Sequence, residues 1–111
     1  MPAEDGAASG RAHAVAAIVW IEDRASRISR GEAAAVTSEG LRVTLSEPPA
    51  FARGDEVAVR LALERGSPTV AVTARVERVE AGGAGVVECS LAWNAPESER
   101  KKLEAWLTRA A

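Results

Sequence analysis

The sequence predicts a mainly β domain: six antiparallel strands closed into a barrel and finished by one C-terminal α-helix. Three observations carry this. Short stretches in which apolar and polar residues alternate recur along the chain from Val15 to Trp93. Clusters of Gly, Pro, Asp and Ser separate them at intervals too short for the crossovers that parallel strands need. Only after Trp93 does the apolar spacing change from that of a strand to that of a helix.

The elements follow in order. Val15 to Glu22 (VAAIVWIE) is a continuous apolar run. Val15, Ala17, Val19 and Ile21 share one face, and Ala16, Ile18 and Trp20 the other. Such a strand belongs in a central position or under cover on both sides. Asp23 to Gly31 (DRASRISRG) is polar and basic, and reads either as a long hairpin loop or as one short helical turn. An apolar strand resumes at Ala33 to Val36. Thr37 to Gly40 (TSEG) is turn chemistry, with Gly40 free to take a positive φ. Leu41, Val43 and Leu45 then alternate with Arg42 and Thr44.

Pro48 and Pro49 interrupt the ladder. Gly54-Asp55 turns the chain into the clearest alternation, in which Val57, Val59, Leu61 and Leu63 face one way. After a turn at Arg65 to Pro68, Val70, Val72, Ala74 and Val76 point inward, with Thr73, Arg75 and Glu77 outward. Ala81 to Gly85 is a hairpin tip, and Val87, Cys89, Leu91 and Trp93 share one strand face. Asn94 to Glu97 reads as a helix start, with Asn94 as cap, Pro96 in the first turn, and Glu97 and Glu99 at the positive end of the helix dipole. Leu103, Trp106, Leu107 and Ala110 form one apolar stripe, so Trp106 packs on the barrel.

Composition narrows the function classes. The formal net charge is −2 and the two signs are interspersed, which gives no basic footprint for nucleic acid. A single cysteine precludes an intrachain disulfide, and one Cys with one His makes a poor zinc set, so neither a metal nor a cofactor is expected. A reducing cytoplasm fits this cysteine usage. No stretch approaches the ~20 apolar residues that span a bilayer, so no membrane insertion is expected. Residues 1–10 read as a disordered leader and 11–111 as the domain. His13 stands alone, Cys89 reads as a small buried hydrophobe, and no nucleophile has a base beside it. The chain is therefore expected to bind rather than to catalyse.

The order of these features resembles the PilZ domain family. The carriers are Thr37 to Val43 (TSEGLRV), Ala52 to Val57 (ARGDEV), Val72 to Val79 (VTARVERV), the strand ending at Trp93, and the helix from Glu97 to Leu107. The resemblance implies a six-stranded barrel of a family in which many members bind cyclic di-GMP. The family's ligand motifs are Arg-x-x-x-Arg before the first strand and Asp/Asn-x-Ser-x-x-Gly at the turn. Carried onto this chain, the first Arg is Arg11, but Val15 stands at the second. Ala35 stands at the acid position, Thr37 at the Ser position, and Gly40 matches. Forked arginine contacts to phosphate and an acid reading a guanine edge are thereby lost.

The expected function is a non-enzymatic regulatory adaptor in bacterial signalling, serving motility, polarity or surface behaviour. It acts by protein–protein interaction, with weak or no cyclic di-GMP binding. The alternative is a cyclic di-GMP receptor in which Arg11 and the cluster Arg24, Arg27 and Arg30 replace the missing pair. Spaced three apart, those arginines would line one face of a helical turn; the other reading of them is a solvated loop. Trp20 and Ile18 on the second face of the first strand are either core or, if exposed, an interaction patch for a protein partner or a homodimer face.

Overall fold

The computed structural model describes residues 17–64 and 66–110. Six strands precede one helix: β1 (Ile18–Glu22), β2 (Ile28–Val36), β3 (Gly40–Leu45), β4 (Glu56–Ala62), β5 (Thr69–Ala81), β6 (Val87–Trp93) and α1 (Glu97–Ala110). Every pairing is antiparallel, and the sheet closes on itself in the order β1-β2-β3-β6-β5-β4. Closure pairs β1 with β2 and β4, while its outer face, with Ile18 and Trp20, stays half-buried. Val15 and Ala16 lie outside the described residues.

The inward residues are those the alternation selects. Val19, Ile21, Val43, Val59, Leu61, Val72, Val76, Cys89 and Leu91 are all buried in one apolar cluster, which no buried polar side chain interrupts among the described residues. At roughly 25 cal/mol per Å² of apolar surface removed from water, this interior supplies the main driving force for folding. Phe51, in the proline-containing segment between β3 and β4, inserts into the same cluster.

Helix α1 lies against β5 and solves an edge problem. β6 pairs only with residues from Ala74 onward, so the first part of β5 has β4 on one side and no strand on the other. There the Glu99 carboxylate accepts the Thr73 N–H at 3.0 Å, and the Thr73 carbonyl accepts the Asn94 N–H at 2.9 Å. Trp106 donates its indole N–H to the Pro68 carbonyl at 3.4 Å. The helix thus covers an otherwise unpaired strand edge, while Leu103, Trp106 and Leu107 bury the apolar stripe.

Four expectations are corrected. Asp23 to Gly31 is neither a long loop nor a helical turn. The Asp23 side chain accepts the N–H groups of Ala25 and Arg27 at 2.8 and 2.9 Å, and this tight turn, with Ser26 at φ 63°, lets β2 begin at Ile28. Gly31 is consequently inside a strand. A Cβ there would sit 2.5 Å from the Thr44 carbonyl oxygen, so glycine permits the close approach of β3. Gly40 does not use a positive φ; it too is required by proximity, since a side chain would run into the Leu91 carbonyl oxygen. Finally, Asn94 does not cap α1. Its amide donates to the Glu56 carboxylate at 3.0 Å, and the helix begins beyond Pro96, whose carbonyl accepts the N–H groups of Glu99 and Arg100.

Candidate functional site

The β2–β3 turn is a closed unit. Thr37 N–H donates to the Gly40 carbonyl at 2.9 Å, and the Thr37 hydroxyl oxygen accepts the N–H groups of Glu39 and Gly40, each at 3.0 Å. The same hydroxyl donates to the Gly40 carbonyl at 3.3 Å. Trp93 fastens the turn to β6. Its indole N–H donates to the Thr37 carbonyl at 2.9 Å, and its backbone N–H to the Glu39 carbonyl at 3.1 Å. The hydroxyl of Thr37 is therefore spent on the turn's own backbone.

Beside this turn, four strands bring an arginine-rich surface together. Directly opposed residues share a face of the sheet. One rung runs Ala35, Arg42, Ser90, Arg78 across β2, β3, β6 and β5. The next runs Gly40, Ala92, Arg75 across β3, β6 and β5. Two register shifts shape it. In β2 the ladder skips Ala34, and in β5 it skips Glu77. In a regular strand Arg75 and Arg78 would face opposite sides; the extra residue between Val76 and Arg78 re-phases the strand, and both arginines point outward.

Arg53 joins them from the turn before β4. That turn is held by the Asp55 carboxylate, which accepts the Ala52 N–H at 2.9 Å, and by Gly54 N–H, which donates to the Val76 carbonyl at 2.7 Å. Arg53, Arg75, Arg78 and Ser90 line an open hollow of about 590 Å³. Arg42 lines a smaller adjoining one of about 220 Å³, which shares Arg78 and Ser90. The acids nearby are Glu77, Glu80 and Glu88. The one ion pair here among the described residues is Arg78 to Glu80, at 3.8 Å and exposed, so it contributes little. Arg42, Arg53 and Arg75 have no carboxylate within ion-pairing distance among the described residues. Small residues at Gly40, Ala35 and Ala92 leave these guanidiniums open to an anion.

The residues singled out from sequence fall in separate places. Ala35, Thr37 and Gly40 come together at the turn. Arg11 lies outside the described residues. Arg24 and Arg27 are exposed in the β1–β2 turn at the other end of β2. At about 3.3 Å per residue they stand roughly 25–30 Å from Gly40. Arg30 is exposed on the outer face of β2, opposite Trp20. Arg24, Arg27 and Arg30 thus do not line one helical face and do not converge on Gly40. Trp20 and Ile18 are half-buried on the outer face of β1.

The arginines that do meet near Gly40 were missed because Arg42, Arg75 and Arg78 are far apart in sequence. The usable signal was their outward position on strands, but not the register that joins them. Cys89, behind this surface on the inner face of β6, has its thiol pushed up to about 11 by burial, which argues against a thiolate nucleophile. Among the described residues no group of His, Cys, Asp or Glu is placed to hold a metal ion, and no helix is long and apolar enough to cross a membrane.

Comparisons with known proteins agree with this architecture. Among solved structures, the Bacillus subtilis inhibitor of motility MotI/DgrA is similar with a TM-score of 0.71 at 15% identity, over 95% of this chain and 51% of that one. The PilZ domain of Escherichia coli YcgR, solved with c-di-GMP, gives 0.66 at 11% identity over 86% of this chain and 81% of that one. K. pneumonia MrkH in its apo state gives 0.72 at 8% identity over 99% and 53%. The chain spans about half the length of the MotI and MrkH chains. At these identities the likeness is one of fold. A search of curated proteins finds no match. The family model of the PilZ domain, however, matches residues 13–109, nearly the whole chain, and with the closed six-strand barrel and the turn at Thr37–Gly40 this establishes that the chain belongs to the PilZ domain family.

Proposed function

We propose that this PilZ domain is a non-enzymatic adaptor in bacterial signalling, working by contact with a protein partner and binding cyclic di-GMP weakly or not at all through the family motif. The observation that carries this reading is the state of the motif. Ala35 offers no carboxylate, and the Thr37 hydroxyl is committed to Glu39 and Gly40. A hydrogen bond to a charged group contributes about 1.5–3 kcal/mol, so the loss of an acid and an arginine together weakens binding by about 10²- to 10⁴-fold. A role in motility or surface behaviour draws on the likeness to an inhibitor of motility. The reading includes a cytoplasmic location and a single domain over residues 11–111.

A second reading is favoured by the arginine surface: a receptor for an anionic ligand such as cyclic di-GMP, which uses Arg42, Arg75 and Arg78 rather than the motif pair. Isothermal titration of the chain with cyclic di-GMP separates the two. The adaptor reading expects no heat at ligand concentrations up to about 100 µM. Binding at or below about 10 µM, near −7 kcal/mol, that is lost in Arg42→Glu establishes the receptor reading instead.

A further inference from the structure

The outer face of β1, β2 and β4, away from the β2–β3 turn, carries a different constellation. Trp20 stands directly opposite Arg30 on β2 and Arg60 on β4. Directly opposed side chains have Cβ atoms about 4.5–5.5 Å apart, so both arginine side chains are long enough to reach the indole, and a cation over such a ring is attracted by its quadrupole. Trp93 and Trp106 each donate their indole N–H to a backbone carbonyl. Trp20 makes no such bond among the described residues. Half-buried Ile18 flanks it on one side, and Ile28, on the other, is 64% exposed, the one large hydrophobic so exposed among the described residues. Arg24 and Arg27 extend the positive charge beyond Ile28. None of these four arginines is in an ion pair among the described residues. Of the nearby acids, Asp23 is committed to its own turn, and Glu22 and Glu32 lie on the same face, two rungs to either side of Trp20.

Charge decides the occupant. A two-fold contact between copies sets the same patch against itself, and its four arginines outnumber Glu22, Asp23 and Glu32, so two copies bring like charge together. We infer that this face instead takes an acidic segment of a partner protein. Its carboxylates engage Arg30 and Arg60 in forked, charge-assisted hydrogen bonds, and an apolar side chain packs on Trp20 and Ile28. The inference rests on the adaptor reading and names the chemistry of its partner.

The test is selection of a random-peptide phage library on the full chain, followed by fluorescence titration of the enriched peptides against the wild type and against Arg30→Glu/Arg60→Glu. Both substituted positions are exposed, and circular dichroism checks that the variant folds. The expected result is enrichment of Asp/Glu-rich peptides carrying an aromatic or aliphatic residue. Their affinity should fall at least about tenfold in the variant and weaken severalfold from about 0.05 to about 0.3 M NaCl, since exposed charges are screened by salt. Acidic peptides whose binding is unchanged in the variant overturn the assignment of this face and leave the adaptor reading standing. No enrichment overturns both. Enrichment of non-acidic peptides overturns the assignment, as does binding of phosphatidylserine vesicles or a single-stranded oligonucleotide, lost in the variant, with no acidic peptide selected.

Discussion

Two arginine-bearing faces of one barrel differ in how the backbone beneath them is built. The β2–β3–β6–β5 face is irregular. Ladder shifts at Ala34 and Glu77 bend it, small residues floor it, and it holds a hollow. The β1–β2–β4 face is a regular five-rung ladder on both sides of β1, with an aromatic at its centre. The first gathers its arginines around a hollow, and the second sets an indole between two arginines, with a hollow lined by Ile18, Arg30 and Glu32 beside it. Bulges are what separate them, because only a break in the two-residue period gathers side chains that a regular strand would send to opposite sides.

The strongest way to break the comparison is to remove what both faces share. Trp93 is buried in the core and also holds the Thr37 turn. Trp93→Ala is expected to cost about 3–5 kcal/mol, the usual penalty for truncating a buried aromatic, with binding lost at both faces; urea unfolding checks it. A variant that loses only the anion face would mean that Trp93 supports the turn rather than the barrel. Next in size is a charge reversal confined to one face. Arg42→Glu/Arg78→Glu should lower affinity for any phosphate ligand of the hollow by about 100-fold, since two charge-assisted bonds at about 1.5 kcal/mol or more each are removed. Acidic peptides should bind that variant as they bind the wild type, and loss of both ligands would merge the two faces into one.

Cys89 reports on the barrel wall behind the arginine face. Its folded thiol lies near 11, above its ordinary value of 9.0. An acid whose folded value is raised contributes stability that is present below about pH 9 and is lost as pH rises toward about 11, on the order of 2 kcal/mol. Unfolding midpoints followed across that range should fall more steeply for the wild type than for Cys89→Ala, and parallel curves would place the thiol in contact with water. The smallest expected effect is on stability at the other face. Trp20→Ala removes a half-buried side chain and should cost only about 1–2 kcal/mol, short of full core burial, while it weakens the acidic peptides. A loss equal to that of Trp93→Ala would assign Trp20 to the core and remove the interaction face.

The local elements were legible because their signals are local. Alternation at Val57–Leu61 and Val70–Val76 marks half-buried strands, and the Leu103–Trp106–Leu107 stripe marks a helix. The basic segment after β1 was read as loop or helix because the side chain of one residue, Asp23, decides it by taking two backbone N–H groups. The cap at Asn94 failed because the helix begins only at Glu97, with Pro96 before it, while the Asn94 amide N–H groups turn to Glu56, 38 residues away. Ala35, Thr37 and Gly40, picked out by local motif spacing, lie together at the β2–β3 turn. Arg42, Arg75 and Arg78 escaped notice, since no pattern along the chain brings them together.

By itself the sequence determined the number of strands, the inward side of most of them and the closing helix. Each of these depends on neighbours a few residues apart. The tertiary structure decided which strands adjoin, where the ladder skips a residue, and therefore which arginines share a face. Register is a property of pairs of strands, and a single inserted residue such as Glu77 changes it without leaving a mark in the composition of either one.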